Sequence, residues 1–284
     1  MCKDIFFSGA GYGIIYYLGI ISHLPFKKKR RIYGISAGSL AGMLYLLNYP
    51  HDDSLKLYNN MSNTALQNIN KNPLYLESYS VTPAFFTVFE EINTTYPDAF
   101  NILTDKLNVG ISTFDENNII QFSWKNKFES NADLFNSILC SCHIPYICTY
   151  NARMNNCYAI DGGCDFDEKK HLPKNVIKII VKNKSHIRDC DTYHLCQNIL
   201  QEHFLLPIPD EYVKKYYENG IKDIEKFLNS RTKFIPKNPA PKFWNDTIKT
   251  AIIIMRILQQ KNQNDTHTFE TLEELCRLPR KEAK

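Results

Sequence analysis

Glycine and proline are scarce, at 11 and 13 of 284 residues. That scarcity excludes collagenous and low-complexity chains, and 44% hydrophobic with 23% charged residues excludes a disordered one. Long apolar runs are missing: the best of them, such as Tyr12–Ile21 and Ala251–Ile254, fall short of the ~18 residues a spanning helix needs, so no transmembrane segment is expected. A cationic start followed by an unbroken apolar core is missing too, because Asp4 stands among the first residues, and no signal peptide is expected. The clustered basic charge of a nucleic-acid binder is absent: the formal net charge is +4, and no nucleic-acid partner is expected. The nine cysteines show no disulfide framework, which points to a reducing, cytoplasmic interior. Cys140, Cys142 and His143 lack the second ligand pair of a structural zinc site, so the metal expectation is none. Acidic residues are absent between Asp4 and Asp52.

What is present begins as strand, turn, helix, strand, turn, helix. Ile5-Phe6-Phe7 is a short apolar run ending in Ser8-Gly9-Ala10-Gly11, and Tyr12–His23 is long and apolar enough for a helix. A second strand, Arg31–Ile35, enters Gly34-Ile35-Ser36-Ala37-Gly38, after which Ser39–Asn48 has helical spacing. Tight glycine turns between alternating strands and helices predict an α/β fold with a mainly parallel central sheet and helices on both faces. Residues 51–104 read as mostly helical. Leu107–Phe114 and Ile119–Trp124 read as a hairpin, Ala132–Cys142 as a helix, and Cys157–Ile160 and Val176–Val181 as strands. From Tyr193 onward the pattern is helical, with Trp244–Gln259 the clearest amphipathic stretch.

Gly34-Ile35-Ser36-Ala37-Gly38 matches G-x-S-x-G, a strand-to-helix elbow that forces a serine hydroxyl above the sheet. The Ala37 N–H at the helix start would face an oxyanion on Ser36. In an ordinary α/β-hydrolase several strands precede the elbow; here at most two do, so a different serine-hydrolase plan is needed. The loop Gly9-Ala10-Gly11-Tyr12-Gly13 ends the first strand and offers free N–H groups as oxyanion donors. Asp161-Gly162-Gly163 ends a later strand and places a carboxylate on the sheet edge that carries Ser36. Such a carboxylate can take the serine proton directly.

With these residues in view the chain resembles the patatin-like phospholipase family. Four blocks match in order: Ser8–Gly13, Tyr33–Gly38 with Ser39-Leu40, Ser141-Cys142-His143-Ile144-Pro145, and Ala159–Gly163. The resemblance covers roughly 3–181, taken as the catalytic domain, with 182–284 as a mainly helical C-terminal extension packed on it. It implies a three-layer fold, Ser36 as nucleophile, Asp161 as general base, and Gly9, Ala10, Gly11 and Ala37 as oxyanion donors, with Gly34, Gly38, Gly162 and Gly163 shaping the turns. It also implies a lipid substrate, phospholipid or acylglycerol, no cofactor, and at most a peripheral membrane or lipid-droplet surface contact. One position departs from the pattern: the family loop G-x-G-x-x-G has Ile14 at its last place.

Competing readings are weaker. A dinucleotide site needs an acid ~20 residues after its glycine loop, and none occurs there. Asp161-Gly162 alone could be a simple turn, and a later histidine, from His171 to His267, could complete a triad. The Ile14 departure motivates a non-catalytic alternative, a lipid- or partner-binding module of the same fold. Finally, all of the +4 excess falls within residues 1–60. Lys27–Arg31 is expected as a solvated loop at the foot of the strand ending in Ser36, roughly 15 Å from its hydroxyl at ~3.3 Å per residue.

Overall fold

The structure, a computed structural model, describes residues 3–71, 82–115, 117, 119–144, 148, 152–183, 195–199 and 206–230. Among them the chain alternates β1 (Ile5–Phe7), α1 (Ile14–His23), β2 (Ile32–Ile35) and α2 (Ala37–Leu46), as the spacing of glycine turns and apolar runs predicts. Helices α3 (His51–Lys71), α4 (Thr82–Thr95) and α5 (Ala99–Leu103) follow, then the hairpin β3 (Leu107–Phe114) and β4 (Ile120–Lys125) and the helix α6 (Asn131–Ser141). The described remainder is β5 (Arg153–Met154), β6 (Cys157–Asp161), α7 (Glu168–His171), β7 (Ile177–Asn183), β8 (Leu195–Ile199) and α8 (Asp210–Asn229).

The strands form one sheet in the order β5-β6-β3-β2-β1-β7-β8, with β4 on the second edge of β3. β2, β1, β7 and β8 run parallel, and β2 pairs parallel with the first half of β3. One face of the sheet presents Ile5, Phe7, Ile32 and Ile179 to α1, α2 and the helices beyond them in the main apolar core. Fully burying a side chain of this size contributes ~1.5–3 kcal/mol. The other face gathers Phe6, Tyr33, Ile35, Val176 and Ile180 against Phe122, Trp124, Phe166 and Leu172, beside the short α7. The sheet is therefore central and mostly parallel, flanked by helices, as expected.

Two expectations are corrected, the helical reading from Tyr193 onward and the wholly solvated basic loop. The helical reading from Tyr193 onward is interrupted by β8, which extends the sheet beyond residue 181 by pairing with β7, Ile179 opposite Leu195. The amphipathic stretch Trp244–Gln259 lies outside the described residues. The basic loop also divides. Lys27, Lys28 and Lys29 are exposed, and Arg31 pairs with Asp4 at 2.9 Å, but Arg30 is buried. Its guanidinium donates to the Lys3 carbonyl (3.2 Å), the Pro25 carbonyl (3.3 Å) and the Tyr45 hydroxyl (2.6 Å). A buried cation must meet hydrogen-bond acceptors, and two backbone carbonyls and a tyrosine hydroxyl supply them.

Candidate active site

Ser36 stands between β2 and α2 with φ 54° and ψ −132°, a conformation sparsely populated by residues with a Cβ. Holding it there costs on the order of 1–3 kcal/mol. A serine at a helix N-cap usually turns its hydroxyl inward onto the first turn of the helix. Here no side-chain cap forms, so the Ser36 hydroxyl is left for other work. Gly38 makes the elbow sterically feasible: a Cβ on it would lie 2.2 Å from the Phe7 carbonyl oxygen and 2.5 Å from that of Ser8. Gly34 lies on β2, and a Cβ there would meet the Ser39 Cα at 2.5 Å. The Ser39 hydroxyl ties the turn from below, donating to the Ser36 carbonyl at 2.6 Å.

Asp161 reaches this point by a route the sequence did not indicate. β3 is longer than β2, and β2 pairs with its edge only as far as Ile35 opposite Gly110. β6 takes over the same edge in the antiparallel sense, with Ile111 opposite Asp161, while β4 holds the other edge from Val109 to Phe114. The C-terminal ends of β2 and β6 thus meet head to head, and Asp161 and Ser36 come together where they meet. The Ser36 side chain stands close enough to the Asp161 carboxyl to pull its pKa down. Gly162 lets the chain turn away at once, since a Cβ there would lie 2.1 Å from the Gly110 carbonyl oxygen. Gly163 donates its N–H to Asp161 Oδ1 at 2.8 Å.

The glycine loop lies beside the elbow: a Cβ on Gly9 would stand 3.5 Å from the Ser36 Cβ. Gly11 has φ 51° and opens a 3-10 turn over Gly11–Gly13 that leads into α1. Among the described residues the N–H groups of Gly9, Ala10, Gly11 and Ala37 meet no backbone or side-chain acceptor, so they remain open as donors. Ile14, the position that departs from the glycine pattern, has φ −49° and ψ −27°. Any residue adopts that conformation, so the backbone there does not require a glycine.

Burial pushes the Asp161 carboxyl up to about 6, against hydrogen bonds from Ser36 and the Gly163 N–H that pull it down. Burial pushes the His143 imidazole down to about 4, so the ring is neutral at neutral pH. His171 is placed elsewhere, its ring stacked on Phe122 with centroids 4.6 Å apart. His186, His194, His203 and His267 lie outside the described residues. Sequence reasoning assigned no role to Ser141 or Cys142, yet both touch the elbow. Ser36 donates its N–H to Ser141 Oγ at 2.8 Å, and burial pushes the Cys142 thiol well up in pKa, with the neighbouring Ser36 and Ser39 side chains opposing the shift. The block Ser141–Pro145 was visible as a motif, but which backbone group a buried serine meets is settled only by the tertiary fold. Among the described residues no cluster of three or more His, Cys, Asp or Glu could hold a metal ion, and no helix is long and apolar enough to cross a membrane.

No curated protein sequence matches the chain significantly. Among solved structures it is similar to VipD from Legionella pneumophila, at 10% identity and a TM-score of 0.48, covering 96% of this chain and 79% of that one. It is also similar to the ExoU–SpcU heterodimer from the type III secretion system of Pseudomonas aeruginosa, at 14% identity and a TM-score of 0.37, covering 98% and 67%. The patatin-like phospholipase family matches residues 5–166, a span that takes in the glycine loop, the Ser36 elbow and Asp161. That span is more than half of the chain, and the chain belongs to the patatin-like phospholipase family.

Proposed function

We propose that the protein hydrolyses lipid carboxyl esters, phospholipid or acylglycerol, through a Ser36–Asp161 dyad and a covalent acyl-enzyme. The observation that carries this reading is the meeting of the C-terminal ends of β2 and β6, which sets Ser36, on a strained elbow, beside a carboxyl whose pKa of about 6 suits a base near neutral pH. Ser36 Oγ attacks the ester carbonyl while its proton passes to Asp161. The tetrahedral oxyanion is held by open N–H groups of Gly9, Ala10, Gly11 and Ala37. Collapse breaks the bond to the leaving alcohol, which takes the proton from Asp161. Asp161 then accepts a proton from water as the water attacks the acyl-serine, and returns it to Ser36 as the acid departs. Every proton is accounted for within the dyad, so the sequence of steps calls for neither imidazole nor metal. The family membership supports the lipid substrate, and the expected peripheral contact with a membrane or lipid droplet belongs to this same proposal.

The non-catalytic alternative rested on Ile14, and the ordinary helical backbone at Ile14 supplies no ground for it. The test is a hydrolysis panel of phospholipids, acylglycerols and p-nitrophenyl acyl esters. Wild-type turnover of at least one lipid, lost in Ser36→Ala with the fold retained, is expected. A well-folded wild type that hydrolyses no acyl ester contradicts the proposal. The triad alternative predicts instead that Asp161→Asn keeps substantial activity while replacement of a later histidine abolishes it.

A further inference from the structure

The end of α6 lies between the two halves of the dyad. Ser141, its last residue, is fully buried and accepts the Ser36 N–H at 2.8 Å while donating to the Gly110 carbonyl at 2.7 Å. Two residues on, the His143 carbonyl accepts the Asp161 N–H at 2.8 Å. One three-residue segment is therefore bonded to the backbone of the nucleophile and to that of the base. We propose that Ser141–His143 is a positioning clamp that sets the Ser36–Asp161 geometry, with the Ser141 hydroxyl as its working group. The proposal rests on the reading of Ser36 and Asp161 as the catalytic pair.

The chemistry of the hydroxyl makes the linkage directional. A carbonyl can only accept and an N–H can only donate, so the single Ser141 proton is committed to Gly110 and its lone pair to Ser36. The hydroxyl thereby acts as a one-atom relay between the elbow and β3 at the place where the β2–β3 ladder ends, Ile35 opposite Gly110. The next residue of β3, Ile111, is the one opposite Asp161. The relay thus joins the elbow to β3 one position from the base. A buried group left without its partner is destabilising, and the effect is of the same order as the strain held at Ser36. The clamp is what keeps φ at 54° from relaxing toward an ordinary turn. Relaxation there would swing the hydroxyl away from the carboxylate, and a displacement of about 1 Å can cost on the order of 100-fold in rate.

Ser141→Thr and Ser141→Val differ only in whether a hydroxyl or a methyl group stands at one branch, so comparing them isolates the relay at constant size. The expected result is that Ser141→Thr restores most of the wild-type kcat. Ser141→Val is expected to lose roughly 10- to 100-fold in kcat with KM within about twofold. The acid limb of its rate profile should also move to higher pH, because the Ser36 hydrogen bond is one of the contacts that hold the Asp161 pKa down. A merely structural serine would change the melting temperature and leave that limb in place. Equal kcat and equal acid limbs in the two variants would overturn the proposal. In the unaltered protein, amide exchange gives a second reading that needs neither folded variants nor catalysis. The Ser36 N–H should exchange far more slowly than the open Ala37 N–H, and equal rates would overturn the clamp. Loss of turnover in Ser36→Ala and Asp161→Asn reports on the dyad itself, so failure of the clamp and failure of the dyad are distinguishable.

Discussion

Asp161 is held between two opposed effects, burial that favours its neutral form and two hydrogen bonds that favour its charged form, and burial is the larger. The balance places its pKa at about 6 against an ordinary 3.8, and two consequences follow from the sign. The base must be deprotonated, so kcat/KM should rise with pH and reach half its plateau near pH 6; a flat profile from pH 5 to 8 would contradict the assignment. For stability, a group whose folded pKa is raised contributes most below its unfolded value, and that contribution is lost as pH rises through the folded pKa. Asp161→Asn should therefore leave stability unchanged below about pH 4 and raise it by about 1–3 kcal/mol above about pH 6, while abolishing turnover. Denaturant titrations at pH 4 and pH 8 would check both limits.

At the scale of elements, the proposed catalytic geometry is a meeting of strand ends. The elbow was legible locally, because an apolar strand, two spaced glycines and an apolar helix are contiguous, and β2, Ser36 and α2 fall where the pattern puts them. Asp161-Gly162-Gly163 was legible as a strand end for the same reason. The direction of β6 was not: whether a short strand pairs parallel or antiparallel depends on partners some fifty residues away, Ile111 to Thr113 for Asp161 to Ala159. Nor did composition reveal that Arg30, within a run of five basic residues, turns inward onto Tyr45 while its neighbours remain in water. Gly38→Ala should abolish activity and destabilise the protein by about 3 kcal/mol or more, since its Cβ would lie 2.2 Å from the backbone of β1, where no side chain can move aside. Arg30→Ala should cost about 1–3 kcal/mol by removing three hydrogen bonds and the packing of a buried side chain, with kcat unchanged because the loop lies at the opposite end of β2 from Ser36. Guanidinium unfolding paired with initial rates would separate the two outcomes.

At the scale of the molecule, the core is closed by a helix from outside the family match. α8 crosses α1 closely enough that a Cβ on Gly19 would lie 2.1 Å from the Tyr217 carbonyl oxygen and one on Gly220 would lie 2.3 Å from that of Tyr16. Tyr16 also donates its hydroxyl to Asp223 at 2.8 Å, which fixes the register of the pair. Gly19→Ala should therefore push the helices apart and cost about 1–3 kcal/mol, visible as a lowered unfolding midpoint with Ser36 chemistry retained in the folded fraction. The account as a whole stands on Ser36 forming a covalent bond through its hydroxyl with Asp161 as its base. The most direct measurement is intact-protein mass spectrometry after a fluorophosphonate probe, with peptide mapping of the adduct. One adduct per chain, mapped to Ser36, absent in Ser36→Ala and strongly slowed in Asp161→Asn, is the predicted result. A folded wild-type chain that stays unlabelled, or labels at another residue, would contradict it.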